Sequence, residues 1–134
     1  MDFEKFNIEQ DLSIDRYQLH LESESLPSVY FRYSDALREA KEIAADKKDA
    51  LAATIAERSI AIREECVANG TKTTEAIIQA MVDKDGEVLN AKKELREANA
   101  TVGRLQAALS ALDTKKDSLD NLTKLYCSGY FVQK

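Results

Sequence analysis

Apolar residues recur at helical spacing through the middle of the chain, from residue 33 to residue 66. Several of them stand eleven positions apart, a period typical of a straight or slightly right-handed helical seam. The seam consists of Tyr33, Leu37, Ala40, Ala44, Leu51, Ile55, Ile62 and Cys66. Because Pro27 precedes this stretch and Asn69-Gly70 follows it, we predict one helix of about 40 residues between them.

A second apolar pattern, between residues 88 and 126, has a period of seven. One row is Val88, Leu95, Val102, Leu109, Lys116 and Thr123, and the other is Ala91, Ala98, Leu105, Leu112, Leu119 and Tyr126. Two such rows form the heptad seam of a coiled-coil helix. We therefore predict a second long helix from about Lys84 to Ser128, ended by Gly129.

Capping and breaking residues define the shorter elements. We expect residues 1–11 to be loosely ordered and a short helix to follow, capped by Ser13 and ended by Leu26-Pro27. Residues 69–73 are predicted to form a turn, residues 74–82 two helical turns, and residues 83–86 a kink where a helix restarts.

These elements predict an all-α fold, because two long helices joined by a short linker fold back on each other. We expect a long antiparallel helical hairpin, coiled-coil-like, with a short N-terminal helix. Residues 1–27 are assigned to an acidic N-terminal arm with the short helix. Residues 28–131 are assigned to the long helical hairpin and the oligomerisation region.

A hairpin this thin has little core of its own, since small proteins expose much of their surface. The second helix also carries apolar residues outside its seam, and the aromatic residues after it have no obvious cover. We therefore predict a homo-oligomer, with a monomeric hairpin that has a frayed tail as the alternative. The predicted interface residues are Leu119, Leu122, Leu125, Tyr126, Tyr130 and Phe131.

Composition excludes several kinds of chemistry. Ala, Glu, Lys, Leu and Arg make up about 48% of the chain, which is typical of long helices. One His and two Cys cannot build a four-ligand zinc site, and no glycine-rich phosphate loop is present. We predict an interaction protein and no enzyme, with no catalytic residue, metal or cofactor. No apolar run suits a membrane span. Two Cys in such a chain favour a reducing cytoplasm over a disulfide scaffold, so we expect a cytoplasmic protein.

Charge is unevenly distributed along the chain. The net charge is −5, and residues 1–27 alone carry seven acidic and two basic side chains. On the first long helix, Arg38, Lys41, Lys48 and Arg63 fall on one flank of the apolar seam, with small residues between them. Such a flank is either a shallow basic track for a phosphate backbone or an ordinary solvated surface. Tyr30, Phe31 and Tyr33 either stack on bases or belong to the core or a subunit contact.

Ordered motifs along residues 12–131 carry a family resemblance. They are Ile14-Asp15, Leu26-Pro27, Ile62-Arg63-Glu64, Thr74-Glu75-Ala76-Ile77, Asn121-Leu122, Lys124-Leu125-Tyr126 and Gly129-Tyr130-Phe131. With this order and spacing, the chain resembles the phage recombination mediators of the UvsY type. The resemblance implies a non-enzymatic protein that binds single-stranded DNA and forms rings of six or seven identical subunits.

The resemblance also implies partners and site residues. The family's members help a RecA-like recombinase displace a single-strand-binding protein during phage recombination and repair, here in the cytoplasm of an infected bacterium. In the family's best-known member, basic side chains stand where Ala52 and Thr54 lie in this chain, so the DNA contacts are expected to shift to neighbouring basic residues or to be weaker. The predicted nucleic-acid-binding residues are Arg38, Lys41, Lys47, Lys48, Arg58 and Arg63. The alternatives are a helical phage scaffold or assembly protein that binds no DNA, and a regulatory hairpin that binds one protein.

Overall fold

The computed structural model describes residues 6–130, and their regular secondary structure is entirely helical. Helix α1 spans Ile8–Leu12, α2 spans Leu19–Ala68, α3 spans Glu75–Lys84 and α4 spans Gly86–Cys127. The predicted all-α class and the two long helices are confirmed.

Glycine residues follow the ends of α2 and α4, and a capping threonine precedes α3, at positions that the sequence indicates. Gly70 has a φ of 67° and ends α2, with the Thr71 amide donating to the carbonyl of Cys66 at 3.0 Å. Glycine adopts this left-handed backbone conformation at little energetic cost. The hydroxyl of Thr74 accepts a hydrogen bond from the Ile77 amide at 3.3 Å and caps α3. Gly129, with a φ of 75°, follows α4.

The N-terminal region differs from the prediction in two respects. A helix, α1, occupies residues that were expected to be loosely ordered, and Ser13 follows that helix instead of opening one. The break expected at Leu26-Pro27 is absent, because α2 begins at Leu19 and continues through Pro27. The assignment of separate roles to residues 1–27 and 28–131 stays a prediction.

Contacts on both sides of Pro27 explain why α2 continues through it. Proline has no amide hydrogen, so the helix loses one hydrogen bond there. Before the proline, Glu22 pairs with Lys115 at 2.8 Å; after it, the Tyr33 hydroxyl donates to Asp11 at 2.7 Å. These tertiary contacts hold both flanks of α2 and outweigh the local preference.

The chain groups into two compact units. The first contains the residues up to Glu39 together with those from Gly103 onward. Its core consists of the buried side chains Tyr33, Ala36, Leu105, Ala108, Leu112 and Leu119. The ring of Phe6 lies 4.8 Å from that of Tyr33, so the segment before α1 contributes to this unit.

The second unit, Ala40–Val102, contains α3 and the adjoining parts of α2 and α4. Its apolar cluster is formed by Ile62, Cys66, Ile78, Val82 and Val88, with Leu51 and Ile55 packed against it. Within this unit α2 and α4 are antiparallel, because Lys47 pairs with Glu94 while the later Arg58 pairs with the earlier Asp85.

Candidate nucleic-acid interface

Two of the six predicted DNA-binding residues, Lys41 and Lys48, are exposed on α2 in the second unit. Among the residues that the structure describes, neither ammonium group makes an ion pair or a side-chain hydrogen bond. Ala45 and Ala52, on the same flank of α2, are exposed as well. This part of α2 therefore presents two available cations beside small side chains.

Lys47 and Arg58 reach α4 instead. The Lys47 Nζ lies 3.2 Å from a carboxylate oxygen of Glu94. The Arg58 Nε lies 2.9 Å from Asp85 Oδ2, and Glu87 is 4.0 Å away. Both residues therefore make ion pairs within the second unit, and their role in DNA binding stays a prediction.

Asp85 combines that ion pair with a capping role at the start of α4. Its Oδ1 accepts hydrogen bonds from the amides of Glu87 and Val88, at 3.0 and 3.3 Å. Burial by itself raises the pKa of the Asp85 carboxyl. The hydrogen bonds from Arg58, Val88 and Glu87 and the charge of Arg58 outweigh burial and hold the pKa below its ordinary value.

Arg63 is engaged by α3. Its two terminal nitrogens lie 2.5 and 2.6 Å from the two carboxylate oxygens of Glu75, a bidentate pair. The hydrogen bond from Arg63, aided by its charge, lowers the pKa of the Glu75 carboxyl, with partial burial acting the other way. The structure therefore gives Arg63 an intrachain partner that its position on the basic flank does not reveal.

Arg38 belongs to the first unit. Its guanidinium lies 3.2 Å from Asp35, one turn earlier on α2, and its side chain is 60% exposed. An exposed pair within one helix contributes little to stability. Of the three neighbouring aromatic residues, Tyr33 is a core residue at 1% exposure, whereas the Phe31 ring is 70% exposed.

The predicted interface residues that the structure describes lie in the first unit and differ in exposure. Leu119 is 2% exposed, so it has a place in the core of the single chain, and its role in an oligomer stays a prediction. Leu122 and Leu125 are half-buried, while Tyr126 and Tyr130 are 38% and 71% exposed. Phe131 lies outside the described residues.

One charged cluster in the first unit has no counterpart in the predicted sites. Lys115 is 8% exposed, pairs with Glu22 and donates to the main-chain carbonyl of Asp11 at 2.7 Å. The heptad pattern placed its neighbour Lys116 on the seam, but Lys116 is exposed. The buried cation joins the end of α1 to the two long helices, so it is structural.

Residues 6–130 contain neither a membrane-spanning helix nor a metal site. No helix in that range has the length and apolar content to cross a membrane. No group of three or more His, Cys, Asp or Glu side chains within the same residues is arranged to hold a metal ion.

The fold and the surface just described define an all-α protein built on a pair of long helices that pack together. No protein-family model matches the chain, and no curated protein matches its sequence. Its structure is similar to the crystal structure of the recombination mediator protein UvsY of bacteriophage T4, with a TM-score of 0.67 and 20% sequence identity. The similarity covers 95% of this chain and 98% of that one, and it confirms the predicted resemblance at the level of the fold.

Proposed function

We propose that this chain is a non-enzymatic recombination mediator, which binds single-stranded DNA and promotes the loading of a RecA-like recombinase. The observation that carries the proposal is the similarity in fold to the T4 mediator UvsY, which extends over nearly the whole of both chains. The ordered sequence motifs that resemble the same family support it independently.

Lys41 and Lys48 are the proposed principal DNA contacts. Both ammonium groups are exposed and make no ion pair within the described part of the chain, so phosphate displaces no carboxylate when it binds. Arg38, which is paired with Asp35 and has a side chain 60% exposed, is a further proposed contact in the first unit. Lys47, Arg58 and Arg63 were predicted to bind DNA as well, but in this proposal their ion pairs serve the fold.

Association between copies is part of the proposal, because two or three phosphate contacts per chain bind weakly. Joining several chains multiplies weak sites through their effective concentration. The exposed rings of Tyr126 and Tyr130 support an interface at the end of α4. In the cytoplasm of an infected bacterium, such an oligomer would help recombinase replace a single-strand-binding protein.

The first test is the anisotropy of a labelled oligonucleotide titrated with protein at two salt concentrations. We expect binding to single-stranded DNA that weakens steeply with salt. Lys41→Glu with Lys48→Glu should weaken it at least about tenfold, since each chain then neutralises two fewer phosphates. The log–log salt slope should become shallower by about 0.7 for each phosphate that is no longer neutralised.

A matched control reverses two exposed lysines outside the site, Lys72 and Lys84, to glutamate. It changes the net charge equally, so equal weakening in both variants would remove Lys41 and Lys48 from the site. A wild-type protein that binds no single-stranded DNA even at low salt would overturn the proposal. That result would favour the alternative, a helical phage scaffold or assembly protein.

A further inference from the structure

A groove runs along the first unit between the early turns of α2 and the later turns of α4. It has a volume of about 590 Å³, which lies within the usual range for binding pockets, roughly 300–1,000 Å³. Its α2 wall is formed by Ser23, Leu26, Pro27 and Tyr30. These residues stand at i, i+3, i+4 and i+7 and therefore share one face of the helix.

The inner surface of the groove is apolar. Leu26, Pro27 and Tyr30 of α2 and Leu119 of α4 line it. Leu119 is 2% exposed, whereas Tyr30 is 37% exposed. This surface suits a bulky apolar side chain, whose burial is favourable in proportion to the apolar area removed from water.

The rim of the groove carries charges that have no partner in the described part of the chain. Asp113, Lys116 and Asp120 stand on one side of α4 and line the groove. Within residues 6–130, none of the three makes an ion pair or a side-chain hydrogen bond. Two carboxylates and one ammonium leave the rim with an excess of negative charge.

Pro27 leaves one hydrogen bond of α2 unmade beside the groove. Because proline has no amide hydrogen, the carbonyl of Ser23, four residues earlier, lacks the donor that an ordinary helix supplies. Ser23 lines the groove. The site therefore offers two carboxylates beside an apolar surface.

We propose that this groove docks a segment of a partner protein in which a bulky apolar residue stands next to an arginine or lysine. The apolar side chain enters between Tyr30 and Leu119, and the cation meets Asp113 and Asp120. Charge favours this occupant over nucleic acid, because the two carboxylates leave the rim with a net negative charge even with Lys116 beside them. The groove is thus a protein-binding surface, separate from the proposed DNA contacts at Lys41 and Lys48.

Two fluorescein-labelled octapeptides with equal apolar content test the proposal, a basic one (LRKLLRKL) and an acidic one (LEELLEEL). Anisotropy should show the full chain binding the basic peptide at least about tenfold more tightly. Asp113→Asn with Asp120→Asn should remove most of that preference. Tyr30→Ser should weaken binding of the basic peptide, because it removes apolar surface from the groove.

The control variant, Asp46→Asn with Asp49→Asn, makes the same change in charge at exposed positions of α2. Its binding of the basic peptide should stay within about twofold of the wild type. Nonspecific attraction of a basic peptide to an acidic chain depends little on position, so this variant measures the nonspecific part of any loss. Equal weakening in both variants, or no binding of the basic peptide, would overturn the proposal.

A third peptide, residues 122–134 of this chain, distinguishes a second copy from another protein. If it binds more tightly than the basic peptide and loses that binding in the Asp113/Asp120 variant, the occupant is a second copy and the proposal is wrong. Single-stranded DNA binding by the same variant should be unchanged. The DNA-binding measurement on the Asp113/Asp120 variant therefore distinguishes failure of the groove proposal from failure of the proposed mediator function.

Discussion

The ammonium group of Lys115 lies 2.8 Å from the carboxylate of Glu22, and the Lys115 residue is only 8% exposed. The same ammonium donates to the carbonyl of Asp11 at 2.7 Å. One buried cation thus joins the end of α1, the first turns of α2 and the later part of α4. A buried ion pair is costly to break from one side, because the remaining charge is left without a counter-charge.

A double-mutant cycle should measure this connection. Glu22→Gln leaves the Lys115 ammonium buried without its counter-charge and should lower the free energy of unfolding by about 3 kcal/mol. Lys115→Met should cost less, because the Glu22 side chain is 21% exposed and can reach water. The double variant should then resemble Lys115→Met. Urea unfolding at one fixed protein concentration measures all three.

The control for that cycle is a surface pair. Lys93 lies 4.0 Å from Glu97, with both side chains about two-thirds exposed. Lys93→Met should change stability by no more than about 0.5 kcal/mol. Equal costs for Lys93→Met and Lys115→Met would show that the buried pair adds nothing.

Tyr33 should make the fold sensitive to alkali. Burial, and then the hydrogen bond to Asp11 and its charge, raise the pKa of the Tyr33 hydroxyl well above 10.0. The unfolded chain ionises this group above about pH 10, whereas the folded chain keeps it neutral. Its contribution is therefore complete below pH 10, and stability should fall above it by about 1.4 kcal/mol per pH unit.

Tyr33→Phe should remove this alkaline dependence while costing about 1 kcal/mol at neutral pH through the missing hydrogen bond. Tyr30→Phe is the control, since Tyr30 is 37% exposed. Denaturant unfolding between pH 8 and pH 11 compares the three proteins. An identical pH slope in the wild type and Tyr33→Phe would refute the assignment.

Asp85 should make the fold sensitive to acid. Its pKa is held below the ordinary value, so its contribution is present above the pKa of an unfolded aspartate, about 3.9, and is lost as the pH falls further. Asp85→Asn keeps a capping oxygen for α4 but removes the charge that pairs with Arg58. Asp85→Ala removes both and should be the less stable variant at neutral pH.

Acid titration followed by circular dichroism separates the two effects at Asp85. From pH 5 to pH 2, the wild type should lose more stability than Asp85→Asn. If the Asp85→Asn and Asp85→Ala proteins are equally stable at neutral pH, the capping hydrogen bonds of Asp85 do not contribute to the stability of the fold.

The end of α4 should control association. Tyr126→Ser with Tyr130→Ser removes two exposed rings, and multi-angle light scattering should show the mass moving toward the 15.0 kDa of one chain. Tyr17→Ser makes the same substitution at a ring that is 76% exposed, and it should leave the mass unchanged. An unchanged mass in the double variant would place the interface elsewhere.

The candidate DNA site could be predicted only in part from the sequence. Position on the basic flank correctly indicated that Lys41 and Lys48 are exposed. It did not reveal that Arg63 pairs with Glu75, twelve residues later, because this contact depends on where α3 packs. The same holds for Arg58, whose partner Asp85 is 27 residues away.

The sequence by itself determined the helical class and most helix boundaries. These follow from local physics: apolar spacing along α2 and α4, a glycine able to adopt a positive φ at Gly70, and a capping hydroxyl at Thr74. Only the tertiary structure decided that α2 continues through Pro27 and that Lys115, rather than Lys116, is buried. Local preferences there are worth a few kcal/mol, and contacts between residues far apart in the chain are strong enough to override them.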